Sequence, residues 1–150
     1  MEQAFVFSNN FEKARKEIKK VEGKKIIFSS LNDELNRKIL EKEKIDVLMI
    51  ILKDRRDKTK QRDSGFNQVM AKTAKKNKVQ IGIFWDEIIN LSSKYKSLIL
   101  SRVRQNIKLC AKDKIPMKFI FIEKEYERDS YDLRALGLVL GMPTWMVKNL

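Results

Sequence analysis

Histidine is absent from this 150-residue chain. Its absence removes Ser-His-Asp and Cys-His nucleophile systems, two-histidine zinc motifs and the ordinary imidazole general base. Cysteine occurs once, at Cys110, which excludes an internal disulfide and a cysteine-cluster metal site. That usage suits a reducing cytoplasm. With only two prolines and five glycines, no flexible linker or low-complexity segment divides the chain, and one domain over residues 1–150 is expected. Gly82, Gly137 and Gly141 stand singly, with no Gly-x-Gly-x-x-Gly and no Walker loop, so nucleotide cradling is not expected. The longest apolar run, 47–52, is far too short to cross a bilayer, and no membrane partner is expected. The start, Met-Glu-Gln, lacks the basic opening of a secretory signal, which again predicts a cytoplasmic protein.

What is present in excess is positive charge. Lys and Arg number 33 against 20 Asp and Glu, a net charge of +13. Such an excess favours a polyanionic partner, because each phosphate neutralised releases condensed counterions. A lysine-rich or thermophilic proteome produces the same excess. Hydrophobic residues at 43% suffice for a real core, and the charges interleave with them instead of forming a disordered block.

The pattern alternates short apolar runs with amphipathic stretches. Strands are predicted over 4–7, 25–28, 45–52, 79–84 and 117–122. Helices are predicted over 11–21 after Ser8-Asn9-Asn10, from Asn32 with a stripe of Leu31, Leu35, Ile39 and Leu40, and over 66–76 with Phe66, Val69, Met70 and Thr73 inward. A short helix or turn is expected over 86–91. A long helix capped by Ser92-Ser93 runs to Lys112 with a stripe of Leu100, Val103, Ile107 and Cys110. Further helices cover 131–140 and the residues after Pro143. Alternating strands and helices imply an α/β fold with about five parallel strands and right-handed crossovers. Five are too few for a closed eight-stranded barrel, which leaves an open sheet or a shortened TIM-like barrel.

Ligands of parallel α/β folds sit at the carboxyl ends of strands. After the third strand the polar segment 53–63 carries Arg55, Arg56, Lys58, Lys60 and Arg62. Arginine forks suit bidentate phosphate contact and lysines supply point charge. A solvated charged loop reads the same way. Asp54, Asp57, Asp63, Asp86, Glu87 and Glu123 could supply oxygen ligands to Mg²⁺, but the first two alternate with cations, which favours local salt bridging. Arg104, Lys108 and Lys112 repeat at spacing four opposite an apolar stripe, which reads first as an ordinary solvent face and second as an RNA-facing stripe. Lys72, Lys75, Lys76 and Lys78 crowd a helix C-terminus, where the dipole favours cations. Trp85 and Trp145 could stack on bases; Trp85, directly after a strand, reads first as core, and Trp145, expected exposed at the C-terminal end, reads equally as a partner anchor.

From Asp46 onward the chain resembles the archaeal ribonuclease P protein component three family, related to the eukaryotic thirty-kilodalton subunit. The resemblance rests on Ala71-Lys72-Thr73-Ala74-Lys75-Lys76-Asn77, on Gly82-Ile83-Phe84, and above all on Arg-x-x-x-Asp-Leu-x-x-Leu-Gly-x-x-Leu-Gly-Met from Arg128 to Met142. It covers roughly two-thirds of the chain well. It implies a barrel like that of polymerase-and-histidinol-phosphatase metal phosphoesterases, without their metal centre and, here, without the family's opening strands. It also implies a non-catalytic subunit that binds ribonuclease P RNA, precursor tRNA and protein component two. The chain itself would bind no cofactor, and Mg²⁺ would serve the catalytic RNA that removes the 5′ leader. Arg128 and Asp132 are the residues that the motif carries over, Asp132 capping or pairing locally while orienting Arg128. Asn67 stands near where many relatives carry histidine, and Ser130 replaces a common proline. A divergent metal-dependent phosphoesterase or nuclease, or a generic RNA-binding module, is the alternative.

Overall fold

The structure, a computed structural model, describes residues 2–150. Five strands alternate with helices from the start: β1 (Gln3–Phe7), α1 (Phe11–Lys20), β2 (Lys25–Ser29), α2 (Asp33–Lys42), β3 (Val47–Ile50), α3 (Gln68–Asn77), β4 (Gln80–Phe84), α4 (Trp85–Ile89), α5 (Ser93–Lys112) and β5 (Met117–Ile120). A single 3₁₀ turn, Lys124–Tyr126, leads to α6 (Ser130–Leu140) and α7 (Thr144–Lys148). The sheet order is β1-β2-β3-β4-β5, every pair parallel. The order never reverses, so the sheet is singly wound and right-handed crossovers put the connecting helices α1 to α5 on one face. It does not close, since β1 and β5 each keep one free edge.

The two faces pack differently. Val6, Phe28, Leu48, Ile50, Ile81, Ile83 and Phe119 join side chains from the helices in the main core. The opposite face holds a smaller cluster of Ile27, Val47, Met49 and Ile120, against which Phe84 packs and to which no helix contributes. That second face is buried in its middle and open at the β1 side, where Phe5 and Phe7 are 44% and 52% exposed. Its burial in the middle by strand residues alone is what a curved, barrel-like sheet produces.

Side-chain caps set most helix starts. Asn10, Asn32, Asn67 and Asp129 each accept from a backbone N–H of the following turn, a device worth about 1 kcal/mol apiece. Asn67, near where many relatives of the resembled family carry histidine, is therefore a helix cap, with Oδ1 2.9 Å from the Met70 amide. Ser92 precedes α5 without a side-chain bond.

Several sequence expectations shift. The third strand is Val47–Ile50, not 45–52. Ile51 and Leu52 stay buried but leave the ladder, and the Leu52 amide donates to Glu87 Oε1 at 2.8 Å. The following helix starts at Gln68, and its inward face is Met70, Ala71 and Ala74, while Val69 is exposed. Small residues face in there because α2 and α3 pack closely. The α5 stripe begins at Ile99, with Leu100 only partly buried. Leu31 is exposed. Trp85 packs edge-on against Phe119, ring centroids 5.8 Å apart, as a core side chain should. Trp145, expected outside, packs partly buried against the main core.

The glycine-punctuated motif explains itself structurally. A Cβ at Gly137 would meet Met142 Sδ at 2.9 Å and Leu150 Cδ1 at 3.0 Å, so the bare backbone lets the chain after α6 fold against it. Gly141, at φ 99°, ends α6 in the left-handed conformation. Cys110 is fully buried in α5, and burial pushes its thiol well above the usual range.

Candidate nucleic-acid interface

The segment between β3 and α3 is a fastened loop. Three α5 side chains, all within four positions of one another, grip its backbone. Arg102, 2% exposed, donates from Nη1 to Leu52 O at 3.0 Å, and from Nη2 to Arg55 O at 2.8 Å and Asp57 Oδ1 at 3.3 Å. Gln105 Nε2 donates to Arg62 O and to Ser64 Oγ, each at 3.3 Å. Asn106 Nδ2 donates to Ser64 O at 3.0 Å. Within the loop, Lys58 and Gln61 form a backbone bridge, and Asp57 Oδ1 accepts from the Asp63 amide at 2.7 Å. That amide bond, ahead of Arg102, draws the Asp57 pKa below its ordinary value.

Arg55, one of the five loop cations expected to meet phosphate, is turned inward. Its Nε donates to Ile51 O at 2.7 Å. Its two terminal nitrogens take Asp33 bidentately at 2.7 and 2.9 Å, and Nη1 also reaches Asp63 at 3.2 Å. Burial opposes its charge, but the hydrogen bonds and charges of Asp33 and Asp63 outweigh it and raise its pKa. The guanidinium lies against Gly65, where an added Cβ would come within 2.6 Å of Cζ and φ is 69°. Arg55 thus locks the loop to α2. Arg56, Lys58, Lys60 and Arg62 are all exposed, and among the described residues none of the four has an ion-pair partner.

Beside the loop lies a cleft of about 200 Å³, lined by Arg37, Arg56, Lys58 and Arg62 but also by Asp33, Glu34 and Asp63. The acidic pair in the first turn of α4 ties down the exits of neighbouring strands. Asp86 Oδ2 accepts from the Ile122 and Glu123 amides at 3.1 and 2.8 Å, while Glu87 takes the Leu52 amide. Both carboxylates are buried structural ties. Among the described residues no three His, Cys, Asp or Glu side chains converge where a metal could bind.

Arg128 and Asp132 are not paired with each other. Both are exposed; Arg128 Nη1 donates to Glu127 O at 3.1 Å, and the cap of α6 is Asp129, whose Oδ1 accepts from the Asp132 amide at 2.8 Å. The expected orienting role of Asp132 therefore has no contact behind it. α6 also exposes Tyr131, Leu138 and Val139, at 79%, 57% and 69%.

Sequence reasoning missed Arg102, Gln105 and Asn106 as the grip on the loop. A signal existed: Arg102 and Asn106 sit four apart, immediately beside Val103 and Ile107 of the apolar stripe, so they share its inward face.

Fold and surface together define a singly wound, unclosed α/β scaffold that presents a fastened cationic loop. No family model matches the chain, and no curated protein matches it either. Among solved structures, it is similar to a chain in the cryo-EM structure of archaeal ribonuclease P with mature tRNA. The two superpose with a TM-score of 0.78 at 24% identity, over 96% of this chain. This chain spans 62% of the length of that one.

Proposed function

We propose that this chain is a protein subunit of ribonuclease P, of the component three type, that assists a catalytic RNA in removing the 5′ leader of precursor tRNA. The observation that carries the reading is the shared fold along nearly the whole chain with a protein chain of that ribonucleoprotein. The exposed, unpaired Arg56, Lys58, Lys60 and Arg62 support it, as does the exposed Arg128. Cations held on a fastened loop neutralise phosphates without the cost of ordering the loop on binding, so folded RNA forms at lower Mg²⁺. The chain supplies no catalytic group in this reading, and the Mg²⁺ chemistry belongs to the RNA. Protein component two is the proposed protein partner, and the apolar strip of α6 suits a protein contact.

Reconstitution tests this. Ribonuclease P RNA and the other protein subunits, at limiting Mg²⁺, should cleave precursor tRNA faster when this chain is added. Equal rates with and without it overturn the proposal. Cleavage by the purified chain alone, abolished by chelator, would make it a nuclease instead.

A further inference from the structure

A second groove, of about 310 Å³, lies between the middle of α5 and the end of α6. Its lining carries Arg62, Arg104 and Lys108 and, unlike the cleft on the other side of the loop, no carboxylate. An anion entering it meets three cations and no repulsion. Ile107 and Leu140 form its floor. The cations converge for stated reasons. Spacing of four places Arg104 and Lys108 side by side on the exposed face of α5. Gln105, between them, holds the backbone of Arg62 against the same helix through its bond to Arg62 O. Arg104 is aligned from the opposite wall, where Nη2 donates to Val139 O at 3.2 Å, and among the described residues it makes no ion pair. Lys108 has no side-chain partner among them, and Lys112 continues the row one turn further on. The loop cations and the α5 cations, separate in sequence, thus form one surface.

We propose that this groove receives a phosphodiester segment of RNA, its phosphates held by Arg62, Arg104 and Lys108. The identity of the RNA rests on the ribonuclease P reading; the preference for a polyanion rests on the groove itself. Binding to the intact chain is read by fluorescence anisotropy, with labelled ribonuclease P RNA in one arm and labelled precursor tRNA in the other. The arm that responds identifies the source of the phosphates. The variants are Arg104→Gln with Lys108→Gln, Lys108→Gln alone, and a control of Lys13→Gln with Lys16→Gln, which removes equal charge from exposed positions of α1.

The double groove variant is expected to lose about tenfold or more in affinity for one RNA, with the log–log salt slope falling by roughly two, and the control to stay near wild type. Lys108→Gln alone should lower the slope by roughly one, and decides the matter if the Arg104 change unfolds the chain. Wild-type binding with groove and control variants equally affected overturns the groove and leaves the ribonuclease P reading intact. Loss of RNA binding in the groove variants, alongside reconstituted cleavage indifferent to the wild-type chain, sinks that reading and keeps the groove. A wild-type chain that binds neither RNA overturns both.

Discussion

Glu87 sits where burial decides its charge. It is pushed up to about 7, chiefly by burial, against the pull of the Leu52 and Lys53 amides and the charges of Lys53 and Arg55. Because the folded value lies above the ordinary 4.5, the folded state holds its proton longer than the unfolded chain does. The stabilisation is complete below about pH 4.5 and is lost as pH rises through about 7. Urea denaturation of wild type and Glu87→Gln at pH 5 and pH 8 should show the wild type losing ground to the variant at the higher pH. The differential is at most on the order of 3 kcal/mol. An unchanged difference between the two would mean that Glu87 is ionised throughout. Arg102 is the other residue whose burial matters. Its Nε has no partner, a cost offset by three bonds that fix where the basic loop goes.

At the scale of elements, the basic loop and α5 act as one unit. Neutralising Arg56, Lys58, Lys60 and Arg62 together to Gln removes exposed charge without touching Arg55, Arg102 or Asn106. Thermal stability should hold, while the salt slope of RNA binding falls by roughly one for each phosphate that these side chains neutralise in the wild type. An unchanged slope would leave these cations as ordinary solvated side chains. Strands, helices and their parallel order are legible in the sequence because the apolar periods differ so clearly. The loop is legible only as a run of charges. Arg55 and Arg56 are neighbours of the same type, yet one is locked between Asp33 and Asp63 and the other is free. That division depends on Asp33, 22 residues away, and periodicity carries no such pairing. In the sequence, the motif from Arg128 to Met142 reads as an Arg–Asp device. In the structure its glycines shape the α6–α7 corner, while Asp129 takes the capping position one turn earlier than Asp132.

At the scale of the molecule, the sheet has a finished face and an unfinished one. Helices cover the first completely; the second is close-packed from β2 to β5 and bare along β1. If that face is open in solution, Phe5→Ser and Phe7→Ser should each cost about 1 kcal/mol or less, as surface changes do, against roughly 3–5 kcal/mol for a large aromatic removed from a core. Denaturant titration distinguishes these, and a loss of about 3 kcal/mol or more would show the face to be covered. The lone, deeply buried thiol of Cys110 has a different kind of consequence. Maleimide dyes should pass it by in the native protein, so a cysteine placed on the rim of either groove would take the only label. Distances from that rim to a dye-bearing RNA could then be followed by energy transfer in the otherwise unaltered chain.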